Sequence, residues 1–278
     1  MLLPALLACL LAADAGIRLY EQRRFQEAAA AFRSALAAHP NDSSTRLYLA
    51  RTLMELDQLA EGLSEIQTAL SRDPSPEIEF QAGKIIRQLA ERRFADLQRL
   101  APESAAVHEF AARRYELQGK HADALREYRL AIAKEPARPG LHYMAGSVLW
   151  QMRELDEAEK ELQAELARSP HHGAANLRMG QLLLARNQAG GALPYLERAA
   201  TAMPDSAETR RELGKALRDS GRMAEAKSQW EALAAMRPDD DQVHYLLGNL
   251  YRQTGDEVRA RRELARHREL LERRRKRD

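Results

Sequence analysis

Cysteine is almost missing from this chain: Cys9 is the only one in 278 residues. An intrachain disulfide and a cysteine-based zinc site are therefore excluded. Aromatic residues make up only 5% of the chain, and with Ala, Leu, Arg and Glu abundant this composition favours helix over sheet. An excess of one charge is missing too. Lys and Arg number 43 against 41 Asp and Glu, a net of +2, so no global field demands nucleic acid or an anionic membrane as partner. Beyond the first dozen residues, no apolar run reaches the roughly 18 positions a membrane-spanning helix needs. The phosphate loop GxxxxGK[ST], the HExxH motif and a dinucleotide glycine fingerprint after a strand are all lacking. Ser147 in "AGSVLW" has neither the G-x-S-x-G pattern nor a strand to carry a nucleophile elbow. His171 and His172 lie in a loop beside Pro170, and Asp239, Asp240 and Asp241 read as an N-capping turn. No catalytic, metal or cofactor residue follows, and an enzyme is not supported.

What the chain does have is a period. "YELQGKHADALREYRLAIAKEP" (Tyr115 to Pro136) and "LRDSGRMAEAKSQWEALAAMRP" (Leu217 to Pro238) place Gly, Ala, an aromatic and Pro alike, 102 residues apart. Pro40 and Pro74 are 34 residues apart, as are Pro102, Pro136, Pro170, Pro204 and Pro238 in succession; only Pro74 to Pro102 breaks step, at 28. Eight residues before six of these prolines stands a large side chain: Phe32, Ile66, Tyr128, Leu162, Leu196 or Trp230. Small residues keep the same beat earlier in each unit, at Gly16, Ala50, Ala112, Gly146, Gly180, Gly214 and Gly248. Two antiparallel helices approach closely only where side chains are small, and large neighbours fill the space beside that contact. Proline follows the second helix because it disfavours αR before it and donates no hydrogen bond. Asp205 with Glu208, and Asp239 with Gln242, have capping-box spacing. Gly119, Gly221 and Gly255 sit between paired helices, where a positive φ costs glycine little.

A 34-residue helix–turn–helix unit with this small–large–proline pattern resembles the tetratricopeptide repeat. The resemblance covers nearly the whole chain. It implies an all-α, right-handed superhelical solenoid of about seven to eight helical pairs, one of them degenerate, serving as a non-catalytic protein-interaction scaffold. His108, His142 and His244 recur at one repeat position and read as packing residues rather than metal ligands. In such arrays the first helix of each pair lines a concave groove that takes extended or helical peptides. Carried over by position, two columns face that groove: one contains Tyr143, Leu177, Arg211 and Tyr245, the other Trp150, Leu184, Arg218 and Arg252, with Lys215 between them. Tyr143, Trp150, Leu177 and Leu184 then make an apolar floor, and the arginines with Lys215 a basic end for acidic residues of the partner. Trp230, by contrast, falls on a core position. The Lys/Asn clamp by which some relatives grip a terminal carboxylate is lacking; only Asn249 stands in a clamp-like place.

Residues 75–102 form a shortened unit, in which either the first or the second helix has lost residues, between N-terminal repeats (16–74) and a longer array (103–272). This unit is either a neutral deletion that repacked or a hinge. Residues 1–15 are either a signal peptide, with an apolar run from Leu2 to Ala13 and a small-residue site at Ala13-Asp14-Ala15, or the first solenoid helix. The first alternative implies a secreted or periplasmic protein, the second a cytoplasmic one. The basic tail at 273–278 is expected to close the last helix as a solvated cap. The alternative is a helical repeat that binds RNA or an anionic membrane through its basic C-terminal helix.

Overall fold

In the computed structural model the backbone is described for residues 2–276 and the side chains for residues 12–276. The described residues form fifteen α-helices and no strand. They are α1 (Leu2–Glu21), α2 (Phe25–Ala38), α3 (Ser43–Glu55), α4 (Leu59–Arg72), α5 (Pro76–Leu100), α6 (Ala105–Leu117), α7 (His121–Lys134) and α8 (Leu141–Gln151). The rest are α9 (Leu155–Arg168), α10 (Gly173–Ala185), α11 (Ala189–Ala202), α12 (Ala207–Asp219), α13 (Met223–Met236), α14 (Asp241–Gln253) and α15 (Glu257–Arg275). All but α5 pair into seven hairpins.

One turn makes every hairpin. A single residue takes positive φ after the first helix: Arg23, Asp57, Gly119, Arg153, Asn187, Gly221 and Gly255. The next N–H then reaches back to a carbonyl five residues earlier, as from Arg24 to Leu19 and from Glu154 to Leu149, both at 2.9 Å. This is the Schellman closure, which satisfies carbonyls a helix end leaves orphaned. Only three of the seven positions are glycine, so four side chains carry the steric cost of the left-handed conformation. The Arg153 side chain is exposed and makes no hydrogen bond or ion pair. Arg153→Gly is therefore expected to stabilise the array by about 1 kcal/mol, read as a rise in the urea midpoint.

Between repeats, proline sets a second turn. The N–H of Asp42 returns to His39 O at 3.2 Å, that of Ser206 to Met203 O at 3.1 Å and that of Asp240 to Arg237 O at 3.1 Å. Proline thus stands at the second position of a β-turn, which suits its fixed φ. This moves the caps one residue beyond the expected ones. Ser206, not Asp205, accepts from Thr209 N at 3.2 Å, and Asp240, not Asp239, accepts from Gln242 N at 3.0 Å. Asp205 and Asp239 are turn residues.

The chain forms two compact units with the break between Pro102 and Glu103. In the first, α1–α2 and α3–α4 are hairpins and α5 stands alone. Gly16 is buried against the Phe32 ring, just after Ala13 and Ala15 in the same helix. The apolar run of Leu2–Ala13 is helical in backbone, but its side chains through residue 11 lie outside the described residues. The shortened hairpin expected over 75–102 is instead one 25-residue helix. "RRF" turns the chain at Arg23 but continues as helix at Arg92 to Phe94. Only seven helical residues follow Arg93, too few to bury a face against the first helix, whereas continuing adds one backbone bond per residue. Arg92 also holds the straight course by a bidentate pair with Glu55, both bonds at 2.9 Å, and Arg93 pairs with Asp57.

The second unit holds five hairpins, α6–α7 through α14–α15. Each closes by setting a large side chain over a small residue sixteen positions earlier. Leu162 covers Gly146, Leu196 covers Gly180, Trp230 covers Gly214 and Leu264 covers Gly248. Tyr128, Leu162, Leu196 and Trp230 are fully buried. Trp230 Nε1 donates to Arg211 O at 3.2 Å, so its polar atom is satisfied inside the core. Of the basic tail expected at 273–278, residues 273–275 end α15, and the last two residues lie outside the described ones.

The recurring histidines belong to this hairpin packing. His244 Nδ1 lies 2.6 Å from Glu263 and Nε2 lies 3.1 Å from Pro238 O. Arg46 uses the same two acceptors one repeat type earlier, Glu65 and Pro40 O. His108 and His142 bond Glu127 and Glu161 at 2.8 and 2.7 Å. These histidines replace an arginine that ties the first helix to the second.

Two buried phenols make the core sensitive to alkali. Burial, then the Glu231 carboxylate that accepts from the hydroxyl at 2.6 Å, pushes the Tyr251 phenol up to about 12; Arg259 opposes this. Tyr128 is raised likewise by burial and by Glu116. A raised acid favours the folded, protonated form, so its contribution is full below its ordinary value of 10.0 and lost as pH rises toward 12. Between those limits Tyr251→Phe is expected to show a shallower fall in urea midpoint than the parent chain.

Candidate interaction surface

In each unit, first helices of neighbouring repeats touch one another, as α3 touches α5 and α10 touches both α8 and α12. Across the repeat boundary, second helices pack on the first helix that follows, as α11 does on α12. This places the first helices on the inner wall of each stack. Among the described residues, no three His, Cys, Asp or Glu side chains come together as metal ligands.

The expected groove residues separate by burial and by partner. Tyr143 and Trp150 are half-buried and pack on the core formed by Leu141, Leu149, Met179 and Leu182. Leu177 is buried, and Leu184 packs beside it on the next core, around Trp230 and Leu247. The four are thus shared between adjacent cores, with the rings of Tyr143 and Trp150 the more accessible part. The Arg178 guanidinium stands 5.7 Å over the Trp150 ring. Tyr245 is 51% exposed, its ring 5.3 Å from that of His267.

Tyr143 is positioned by an unusual buried acid. Glu165 stands where α2, α4, α7, α11 and α13 carry Ala35, Ala69, Ala131, Ala199 and Leu233 and α15 carries His267, and it is 2% exposed. Its carboxylate accepts from Gly140 N at 3.1 and 3.2 Å and bonds His172 Nδ1 at 2.9 Å. Gly140, the N-cap of α8, has φ +86°, and its own N–H is satisfied by the second helix of the same hairpin, α9. His172 is thereby fixed, and Tyr143 rests on it edge-on with centroids 4.9 Å apart.

The basic end is compensated from within. Arg211 pairs with Asp240, Lys215 with Glu212 at 2.9 Å, and Arg218 with Asp219 at 2.7 Å. Arg218 also lies 5.8 Å over the Trp230 ring. Arg252 alone of the expected cations has no carboxylate; it donates to Asn249 Oδ1 at 2.9 Å.

The inner wall of the first unit was undervalued by the repeat pattern. Leu47, Tyr48 and Arg51 of α3, with Gln81, Lys84 and Gln88 of α5, line a cleft of about 230 Å³. Leu47 stands at the repeat position of Tyr143 and Leu177, and Arg51 at that of Lys215, but the α5 residues fall outside the strict period. Ser75 caps α5 where Asp42 caps α3, 33 residues earlier rather than 34. That one-residue change hides the α5 members from a strict period.

Helical hairpins repeated in series, with aromatic side chains on the inner wall, define a helical-repeat protein. Family comparison gives it a family. Two models described as tetratricopeptide repeat match, one over residues 19–84 and 183–250, the other over 143–207. The chain belongs to the tetratricopeptide repeat family, whose members serve as protein-interaction scaffolds and are generally non-catalytic. Among solved structures, MamA from Desulfovibrio magneticus RS-1 (its 41-to-end form) is similar at 24% identity and a TM-score of 0.58, covering 60% of this chain and 95% of its own. YrrB, described as a TPR protein with an unusual peptide-binding site, is similar at 24% identity and a TM-score of 0.57, covering 64% and 91%. Both likenesses concern the fold. No curated protein matches the chain.

Proposed function

We propose that the chain is a non-catalytic scaffold that holds a peptide or helical segment against the inner wall of its second unit. The observation that carries this reading is the pair of ringed anchors on α8, Tyr143 and Trp150. Each is half-buried over a rigid core and keeps an accessible face. Aromatic side chains held this way lose little entropy on binding and supply large contact areas, as hot spots do. Leu184 and Tyr245 extend the apolar surface along the wall. Arg252 is the cation best placed to receive an acidic residue of the partner, because Arg211, Lys215 and Arg218 would first have to leave their own carboxylates.

The test uses a random 15-residue peptide display library selected on the intact chain, with bound peptides then measured by fluorescence anisotropy. Trp150→Ala is expected to weaken the selected peptides by about tenfold or more while helicity and melting stay unchanged. Arg252→Glu should weaken those with an acidic residue and spare those without. If Trp150→Ala lowers helicity and melting together, Trp150 is a core residue. If the selected peptides bind the variant equally well, the inner wall of the second unit is not their site. Either result overturns the proposal.

A further inference from the structure

The lone helix α5 keeps the face on which a second helix packs in every other repeat. Aligned by its buried residues Ile78, Ala82 and Ile85, which match Thr45, Leu49 and Thr52 of α3, its small position is Gly83. The equivalent Gly146, Gly180, Gly214 and Gly248 are each closed by a large side chain of the following helix. At Gly83 a Cβ would meet nothing within 4 Å. Ile86 matches Leu53, Leu149, Leu217 and Tyr251, which are buried, and Tyr115 and Leu183, which are half-buried, yet Ile86 is 43% exposed. Phe80, about one turn before Gly83, is 63% exposed. Glu79, Gly83, Ile86 and Ala90 recur at helical spacing and form one face of about three turns.

The seven hairpins show what covers such a face: an antiparallel amphipathic helix that sets a large side chain over the small residue. Charge says which helix. At the position of Glu79 α1 carries Ala12, and the first helices α3, α6, α8, α10, α12 and α14 carry Arg46, His108, His142, Asn176, Arg210 and His244. Five of these six bond a residue just before the large one: Glu65, Glu127, Glu161, Gln229 or Glu263. Glu79 reverses the sign, and its side chain makes no hydrogen bond or ion pair. The chain's own second helices, in this molecule or in a second copy, mostly bring a carboxylate to that point and are repelled. We propose that the Glu79–Gly83–Ile86 face of α5 docks a helix of another protein in which Arg or Lys immediately precedes a large apolar residue. The large side chain fills the Gly83 notch, and the cation pairs with Glu79. This proposal does not rest on the inner-wall reading, since it concerns a different face and a different unit.

The probes are stapled 14-residue peptides of the Met223–Met236 sequence, because an unstapled helix of that length is marginal in water. One carries Gln229→Arg, a second Gln229→Glu, and a third Gln229→Arg with Trp230→Ala. Binding to the intact chain is followed by fluorescence anisotropy. The first peptide is expected to bind about tenfold or more tightly than the second, and the third to lose binding. Glu79→Arg should invert the preference between the first two. Gly83→Leu should abolish binding with helicity and melting kept, because its side chain enters open space. Equal binding of the two Trp peptides, no binding, or indifference to Gly83→Leu overturns the proposal. So does sedimentation showing a self-association that Gly83→Leu removes, since the face would then serve a second copy.

Discussion

Trp230→Ala is expected to cost about 3–5 kcal/mol, the range for removing a large aromatic from a packed core. The side chain is 0% exposed, covers Gly214 and shares its core with Leu213, Leu217, Leu233, Val243 and Leu247. Deleting it leaves a cavity that cannot collapse easily, because the small residue beneath has no side chain to move inward. It also removes the bond that Trp230 Nε1 adds to the Arg211 carbonyl within α12. Repeat arrays are stabilised by nearest-neighbour interfaces, so the loss should not spread evenly. Hairpins α12–α13 and α14–α15 are expected to melt first, as an early transition in circular dichroism, while hairpins α6–α7 and α8–α9 retain hydrogen-exchange protection. Trp150→Ala should produce no such early transition, because that ring only rests on its core. A single unaltered transition in Trp230→Ala would mean that the Gly214 contact contributes little.

The contrast between the two tryptophans was legible in the sequence because repeat position carries burial with it. Eight residues before the proline is a core place in every unit, and the small residue sixteen positions earlier explains why. The same arithmetic failed where chemistry departs from the average of the repeat. Arg23, Asp57, Arg153 and Asn187 hold the left-handed turn without glycine, and composition alone offers no sign of it. Gly83 was hidden because Ser75-Pro76 shortens one interval by a single residue. The straight course of α5 depends on Arg92 meeting Glu55, 37 residues away, and the quenching of Arg211 depends on Asp240, 29 residues away. Periodicity shows which face a residue lies on; it does not show which charge sits across from it. The apolar half of the candidate wall was therefore easier to read than the basic half.

Alanine at the small position should give three different outcomes in three repeats, and this series tests the packing rule itself. A helical glycine replaced by alanine gains about 1 kcal/mol of propensity wherever there is room. At Gly83 the new methyl meets nothing within 4 Å, so Gly83→Ala is expected to stabilise the first unit by about that amount. At Gly146 it meets Leu162 Cγ at 3.0 Å and Ala158 O at 3.3 Å. A leucine end can shift by a few tenths of an ångström, and propensity and crowding should roughly cancel. At Gly214 the methyl falls 2.1 Å from Trp230 Nε1 and 2.6 Å from two further ring atoms. The indole is held by its bond to Arg211 O and by full burial, so it cannot withdraw. Overpacking of this kind costs about 1–3 kcal/mol and should outweigh the propensity gain. Gly214→Leu lies beyond that range, since three more carbons enter the same space. The double variant Gly214→Ala with Trp230→Leu should recover much of the loss, because Ala50 under Ile66 shows that alanine and a branched aliphatic fit this contact. Urea midpoints for the four chains decide it. A stabilised Gly214→Ala, or a double variant no better than the sum of its parts, would mean that large-over-small packing is not what closes these hairpins.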